Sequence, residues 1–201
     1  MSSESIAEYK VILASNSSIR KKILEDSGIS FEVIASDVDE EELKKSFSSK
    51  NFKDNCLALA KAKALEVSNK QKNAYVIGSD QICCYGEEIF SKPLTKENCF
   101  KTLSKLSGNT HYQNCGISIC KDGKEIWSHY AQASLTMKSL SDSEIKDYID
   151  KDEPLMACGA YRFESLGKNL FLSTKGDETT IQGLTLNPII NFLSSEKVID
   201  I

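Results

Sequence analysis

The sequence contains no CxxC pair and only two histidines, His111 and His129, so zinc-finger ligand spacing is absent despite seven cysteines. It holds three prolines and ten glycines, too few for collagen-like or low-complexity chains. No apolar run approaches the roughly 20 residues a membrane span needs, and Met1–Lys10 lacks the apolar core of a leader peptide. Positive charge is in deficit: Lys+Arg 25 against Asp+Glu 29 leaves a net charge of -4. That balance speaks against a protein held on nucleic acid by its overall field, while leaving room for a local cationic pocket. GxSxG, GxGxxG and P-loop sequences are missing too, so a serine hydrolase of the familiar kind has no nucleophile elbow.

What is present reads as one globular unit of 201 residues, 40% hydrophobic and 27% charged, which excludes a largely disordered chain. The cysteines, odd in number, sit mostly among apolar neighbours, as in Ile82-Cys83-Cys84-Tyr85, and read as small buried hydrophobes. Free thiols without an export signal predict a cytoplasmic protein.

Tyr9–Leu13 reads as a buried strand, followed by a helix with Ile19, Ile23 and Leu24 on one face and Gly28 at its stop. Phe31–Ala35 reads as a second strand and the acidic stretch Asp37–Glu42 as a loop. Phe52–Ser68 is helical by spacing, with Cys56, Leu59, Ala60, Lys63 and Val67 recurring at threes and fours. Ala74–Tyr85 is a strand that turns at Gly86, and Thr95 caps a helix carrying Cys99, Phe100, Leu103 and Leu106. Alternating runs on either side of Asp122-Gly123 predict a β-hairpin. Ser141-Asp142-Ser143-Glu144 is a capping box, and Asn187-Pro188 starts the last helix. The expectation is an α/β protein whose hairpin widens the sheet or forms a second lobe.

Several segments could carry chemistry. Ala14-Ser15-Asn16-Ser17-Ser18 links a strand directly to a helix, so backbone N–H groups, the Ser15 and Ser17 hydroxyls and Arg20 could bind a phosphate; a plain helix cap is the alternative. Asp80 lies inside the apolar run Val76–Cys83, where a carboxylate needs a partner; it reads as a general base or metal ligand, or as a strand-end residue bonding a loop. Lys63, on an apolar helix face, and Lys92, before Pro93, could supply cations, though each can also snorkel to water. Asp39-Glu40 is either solvated surface or, near a triphosphate, a carboxylate for Mg²⁺. Gly159–Gly167 sets small residues around Tyr161 and Phe163, as a pocket wall for a ring or as core.

Read in order, LASxSxxR (Leu13–Arg20), VDE (Val38–Glu40), LAxxKA (Leu59–Ala64), GSD (Gly78–Asp80), Lys92-Pro93, LSGxxH (Leu106–His111) and EPLxxxGAYxxExLG (Glu153–Gly167) resemble the Maf family of nucleotide pyrophosphatases. Gly176-Asp177 and Gly183-Leu184 extend the resemblance over nearly the whole chain. It implies one domain of two lobes around a central cleft, related to the inosine-triphosphatase fold. It also implies hydrolysis of a nucleoside triphosphate to monophosphate and pyrophosphate, dependence on a divalent cation (Mg²⁺ or Mn²⁺), and a homodimer. By position, Asp80 matches the family's proton acceptor, and Ser15, Arg20, Glu40, Lys63 and Lys92 match phosphate- and metal-handling positions. His111 is given no catalytic role. Where pyrimidine-type members carry Pro and two arginines, this chain departs with Ser18-Ile19-Arg20 and keeps one arginine. Where they carry Thr and then Gln it has Gln81 and Glu164, and these two look like the 7-methyl-GTP branch. A carboxylate at Glu164 can accept from both N1–H and the exocyclic amine of guanine, whereas uracil and thymine offer one N–H between two carbonyls. The charge on an N7-methylated base also favours a carboxylate and an aromatic face such as Tyr161 or Phe163. A dTTP or UTP pyrophosphatase, and a non-catalytic nucleotide-binding division regulator, are the competing readings.

Overall fold

The computed structural model describes residues 9–47 and 51–200; Met1–Glu8, within the segment whose polarity speaks against a leader, lies outside the described residues. The chain opens with β1 (Lys10–Leu13), α1 (Ser18–Asp26) and β2 (Glu32–Val33). The second strand is thus shorter than Phe31–Ala35. The acidic stretch is not all loop: α2 (Glu40–Lys44) forms there because Asp39 accepts from the Glu42 N–H at 3.0 Å. Glu40, Glu41 and Glu42 then sit in the first turn, where the helix dipole favours carboxylates.

α3 (Phe52–Lys70), β3 (Ala74–Tyr85), β4 (Glu88–Phe90) and α4 (Lys96–Leu106) follow, α4 capped by Thr95 as its spacing predicts. β5 (Thr110–Lys121) and β6 (Lys124–Met137) make the long hairpin, and α5 (Asp142–Asp152) carries the complete Ser141–Glu144 capping box. A 3₁₀ turn (Leu166–Leu170), β7 (Phe171–Lys175), α6 (Glu178–Ile181) and α7 (Leu186–Ser195) complete the described elements. α7 begins before Asn187-Pro188, with Thr185 at its cap, so Pro188 is its third residue, where a missing N–H costs no helix bond.

One mixed sheet organises these elements in the order β2-β1-β3-β5-β6-β7, with β4 added beside β3. β2, β1 and β3 run parallel, and all later pairs are antiparallel. The architecture is α/β, and the hairpin widens the sheet. One apolar cluster packs α1 and α7 against β1, β3 and β5; another gathers α4, α5, β6 and the Ala160–Phe171 segment. Six of the seven cysteines are buried and all seven are free. No helix among the described residues is long and apolar enough to cross a membrane.

α3 lies against β3 and β5 at two residues without side chains. A Cβ on Gly78 would fall onto the Ala60 carbonyl oxygen and 2.9 Å from the Ala64 Cβ; one on Gly116 would lie 2.6 Å from the Cys56 carbonyl oxygen. This approach lowers the α3 residue between Ala60 and Ala64, Lys63, onto the strand beside Asp80. Gly78→Ala must push the helix away, and overpacking of this kind costs about 1–3 kcal/mol. Urea unfolding of that variant is expected to show a lowered midpoint of that order; an unchanged midpoint would mean the contact is not tight.

Candidate active site

β3 has an interrupted edge. β1 pairs with it only as far as Leu13↔Ile77, and β4 joins from Cys83↔Phe90, so among the described residues Gly78–Ile82 has no strand neighbour on that side. A cavity of about 1220 Å³ opens at this gap, lined by residues of α1, α2, α3, β3, the Ser91–Leu94 loop and the Glu153–Glu164 loop. Because the edge is open, side chains from both faces of the strand reach it, Asp80 from one and Gln81 from the other.

Asp80 is 8% exposed and Lys63 9%. The Lys63 ammonium donates to Asp80 Oδ1 at 2.8 Å and pairs with Glu40 Oε1 at 2.9 Å, joining α3, β3 and α2 in one contact. Burial pushes the Glu40 carboxyl upward, but Lys63, with Lys44 and Lys92 behind it, outweighs that and leaves it below the usual carboxylate range. Lys44 lies 3.9 Å from Glu40, and Lys92 lines the same cavity. The acidic protein thus concentrates Lys44, Lys63 and Lys92 around two carboxylates.

The Ser15–Arg20 segment forms the adjoining wall. Ser17 caps α1, accepting from the Arg20 N–H at 3.4 Å, while Ser15 Oγ accepts from the Ser17 N–H at 3.2 Å and from Arg20 Nη1 at 3.3 Å. Arg20 is not simply the phosphate fork that its position suggests. Its Nε donates to the Gly183 carbonyl at 2.8 Å and Nη1 to the Ser79 carbonyl at 2.9 Å, so it braces α1 against β3 and the α6–α7 turn. Gln81 is likewise anchored, donating to the Thr180 and Ile181 carbonyls at 3.2 and 2.7 Å.

The Gly159–Gly167 segment supplies both pocket wall and core. Tyr161, Arg162, Phe163 and Glu164 line the cavity, yet Tyr161 and Phe163 are buried. The Tyr161 hydroxyl lies 2.9 Å from His111 Nε2 and accepts from Gln113 Nε2 at 2.8 Å. The other ring nitrogen, His111 Nδ1, is buried without a hydrogen-bond partner. Glu164 Oε1 accepts from Arg162 Nε at 3.4 Å. His111 is wholly buried behind this wall, and desolvation pushes it down to about 4, so it stays neutral. Burial raises the thiols of Cys56, Cys83, Cys115 and Cys158, which makes them poor nucleophiles.

The structure therefore brings Ser15, Ser17, Arg20, Glu40, Lys63, Asp80, Gln81, Lys92 and Glu164 to one cavity. Lys44 and Arg162 line it as well without being candidates in the sequence; Lys44 was hidden by an unrecognised helix, and Arg162 by its place between motif residues. Among the described residues no three His, Cys, Asp or Glu side chains cluster as a metal cage. Glu40 and Asp80 both meet the Lys63 ammonium at the cavity wall, and two carboxylates completed by phosphate oxygens and water are a usual donor set for Mg²⁺.

A family model described as "Maf-like protein" matches residues 10–196. The chain is 39% identical over 199 residues to the "Nucleoside triphosphate pyrophosphatase" of Legionella pneumophila (strain Corby), covering 99% of this chain and 100% of that protein. It is 40% identical over 195 residues to the "7-methyl-GTP pyrophosphatase" of Brucella abortus biovar 1 (strain 9-941), covering 95% and 98%. Among solved structures it is similar to the Staphylococcus aureus Ham1 protein, with a TM-score of 0.47 and 17% identity over 93% of this chain and 99% of that one.

Two outcomes are expected of this geometry. Lys63→Met removes the cation between Asp80 and Glu40, and stranding a buried carboxylate costs about 3–5 kcal/mol; urea unfolding at neutral pH should show a loss of that size, partly recovered when Asp80→Asn is added. The unfolded His111 takes up a proton near 6.5 that the folded one refuses until about 4. Stability from this group is therefore complete above pH 6.5 and is lost as pH falls through that window, on the order of 3 kcal/mol. Unfolding of His111→Gln followed from pH 7 to pH 4 should fall less steeply than that of the parent; identical slopes would refute the assignment.

Proposed function

The chain belongs to the Maf-like protein family, and from that premise we propose that it is a nucleoside triphosphate pyrophosphatase, with 7-methyl-GTP as its preferred substrate. The observation that carries the reading is the Lys63 ammonium held between Asp80 and Glu40 on the open edge of β3, inside a cavity that also receives Lys44 and Lys92. Water attacks the α-phosphorus, a new P–O bond forms, the bond to the bridging oxygen breaks, and pyrophosphate leaves with that electron pair. The developing charge spreads over phosphate oxygens, so positioning and electrostatics do most of the work.

Asp80 orients the water and accepts its proton, while Lys63 and Lys92 offset the phosphate charge. Ser15 and Ser17 offer hydroxyls at the start of α1, and Arg20 holds that start in place. Glu40 and Asp80 are the residues that would hold a divalent cation, Mg²⁺ or Mn²⁺, which when bound polarises phosphoryl oxygens and offsets their charge. The base is read at the Glu164 end of the cavity. The Glu164 carboxylate suits the two N–H donors of guanine, and a cationic N7-methylated ring suits a carboxylate backed by Phe163. The name of the Brucella relative supports the same branch. The protein works on a free nucleotide and needs neither nucleic acid nor a membrane.

A panel of canonical and methylated nucleoside triphosphates with Mg²⁺ or Mn²⁺ and pyrophosphate detection tests the proposal. Asp80→Asn is expected to lower pyrophosphate release about 10²–10⁴-fold, the usual contribution of a general base. Glu164→Gln is expected to move preference from 7-methyl-GTP toward UTP or dTTP. Full activity in the first variant would sink the mechanism, and an unchanged ranking in the second would remove the branch assignment.

A further inference from the structure

The buried carboxylate of Asp152 takes no part in the chemistry above and lines neither the large cavity nor the smaller hollow beside Glu164. It ends α5 and is 4% exposed. Its Oδ2 accepts from the Tyr148 hydroxyl at 2.8 Å and its Oδ1 from the Ser165 hydroxyl at 2.6 Å. Its backbone carbonyl accepts from Arg162 Nη1 at 3.2 Å, and the same nitrogen lies 3.9 Å from Oδ1. Tyr148, held by Asp152, in turn accepts the Arg162 backbone N–H at 3.0 Å.

These bonds converge on residues 162 and 165, on either side of Glu164. Arg162 completes the chain, because its Nε donates to Glu164 Oε1 while its Nη1 is fixed by Asp152. One guanidinium thus spans the Asp152 backbone carbonyl, with the buried carboxylate 3.9 Å away, and the carboxylate that faces the cavity. A charge buried as deeply as Asp152 is tolerated only with its partners in place, so the network permits one arrangement of the loop.

We infer that Asp152 is a positioning residue for base selection, setting the place of Glu164 through Arg162, Tyr148 and Ser165. The inference rests on Glu164 as the base-reading residue and extends that reading. A carboxylate that must meet two N–H groups at once discriminates only while its oxygens stay in register with them, and losing that register affects the favoured base far more than one it never matched.

The test measures kcat and KM for 7-methyl-GTP and UTP in the parent, Asp152→Asn, Glu164→Gln and the double variant. Asp152→Asn is expected to lower the 7-methyl-GTP to UTP ratio of kcat/KM about tenfold, mainly through KM for 7-methyl-GTP, with kcat nearly unchanged. In the Glu164→Gln background the added Asp152→Asn should leave the ratio where it is, since a residue acting through Glu164 has nothing left to position. A purely structural role would reduce the active fraction alike for both substrates and leave the ratio untouched, which would overturn the inference. Ser165→Ala removes a single bond of the network and should shift the ratio in the same direction by less; it decides the matter if Asp152→Asn fails to fold. Should Glu164→Gln itself leave the ranking unchanged, the base-reading assignment fails and the inference fails with it. A shift with Glu164→Gln but with neither Asp152→Asn nor Ser165→Ala overturns the inference alone.

Discussion

A lysine ammonium held between two carboxylates at the unpaired edge of a strand is the contact on which the site depends. Lys63 can reach Asp80 at 2.8 Å only because α3 lies directly on β3, and that approach requires Gly78 to lack a side chain. Glu40 can complete the contact only because Asp39 caps a helix turn in an otherwise polar stretch. Removing the lysine would strand the buried Asp80 carboxylate, which costs far more than losing a surface pair. The same contact that orders three elements also gathers the groups that phosphoryl chemistry uses.

The interruption of the sheet edge has an equally direct consequence. A strand paired on both edges presents its side chains to two separate faces, whereas Gly78–Ile82, free on one edge, presents both faces to one cavity. Asp80 and Gln81 are neighbours in sequence yet serve opposite walls, one toward α3 and one toward α6. The cavity is lined by groups of both signs. Its lining includes Lys44, Lys63 and Lys92 around the two carboxylates, and Phe163 and Glu164 from the later loop, the groups to which the proposed function gives the phosphates and the base. A net charge of -4 describes the whole chain and hides this local concentration of cations.

Much of this was legible in the residues themselves. A carboxylate in the apolar run Val76–Cys83 and a lysine on an apolar helix face both announce that a buried partner is required, and here each is the other's partner. The hairpin around Asp122-Gly123 and the Ser141 capping box are local devices, and they form as their patterns predict. Contacts that join distant parts of the chain were not legible. Arg20 stands on a helix start that invites a phosphate, but its guanidinium meets a carbonyl 163 positions away at Gly183. α6 spans four residues and β7 exposes four of its five, too little periodicity to mark either. Asp152 looks like one more charge at a helix end until the fold buries it beneath Tyr148 and Ser165.

The central claim is that Lys63 and Asp80 act as one unit in pyrophosphate release. A kinetic double-mutant cycle on kcat, using Lys63→Met, Asp80→Asn and their combination with a saturating triphosphate and Mg²⁺, tests it most directly. The account predicts that the double variant is no slower than the slower single variant, because either loss already dismantles the pair. Losses that multiply across the two positions would show that the groups act independently, and would contradict it.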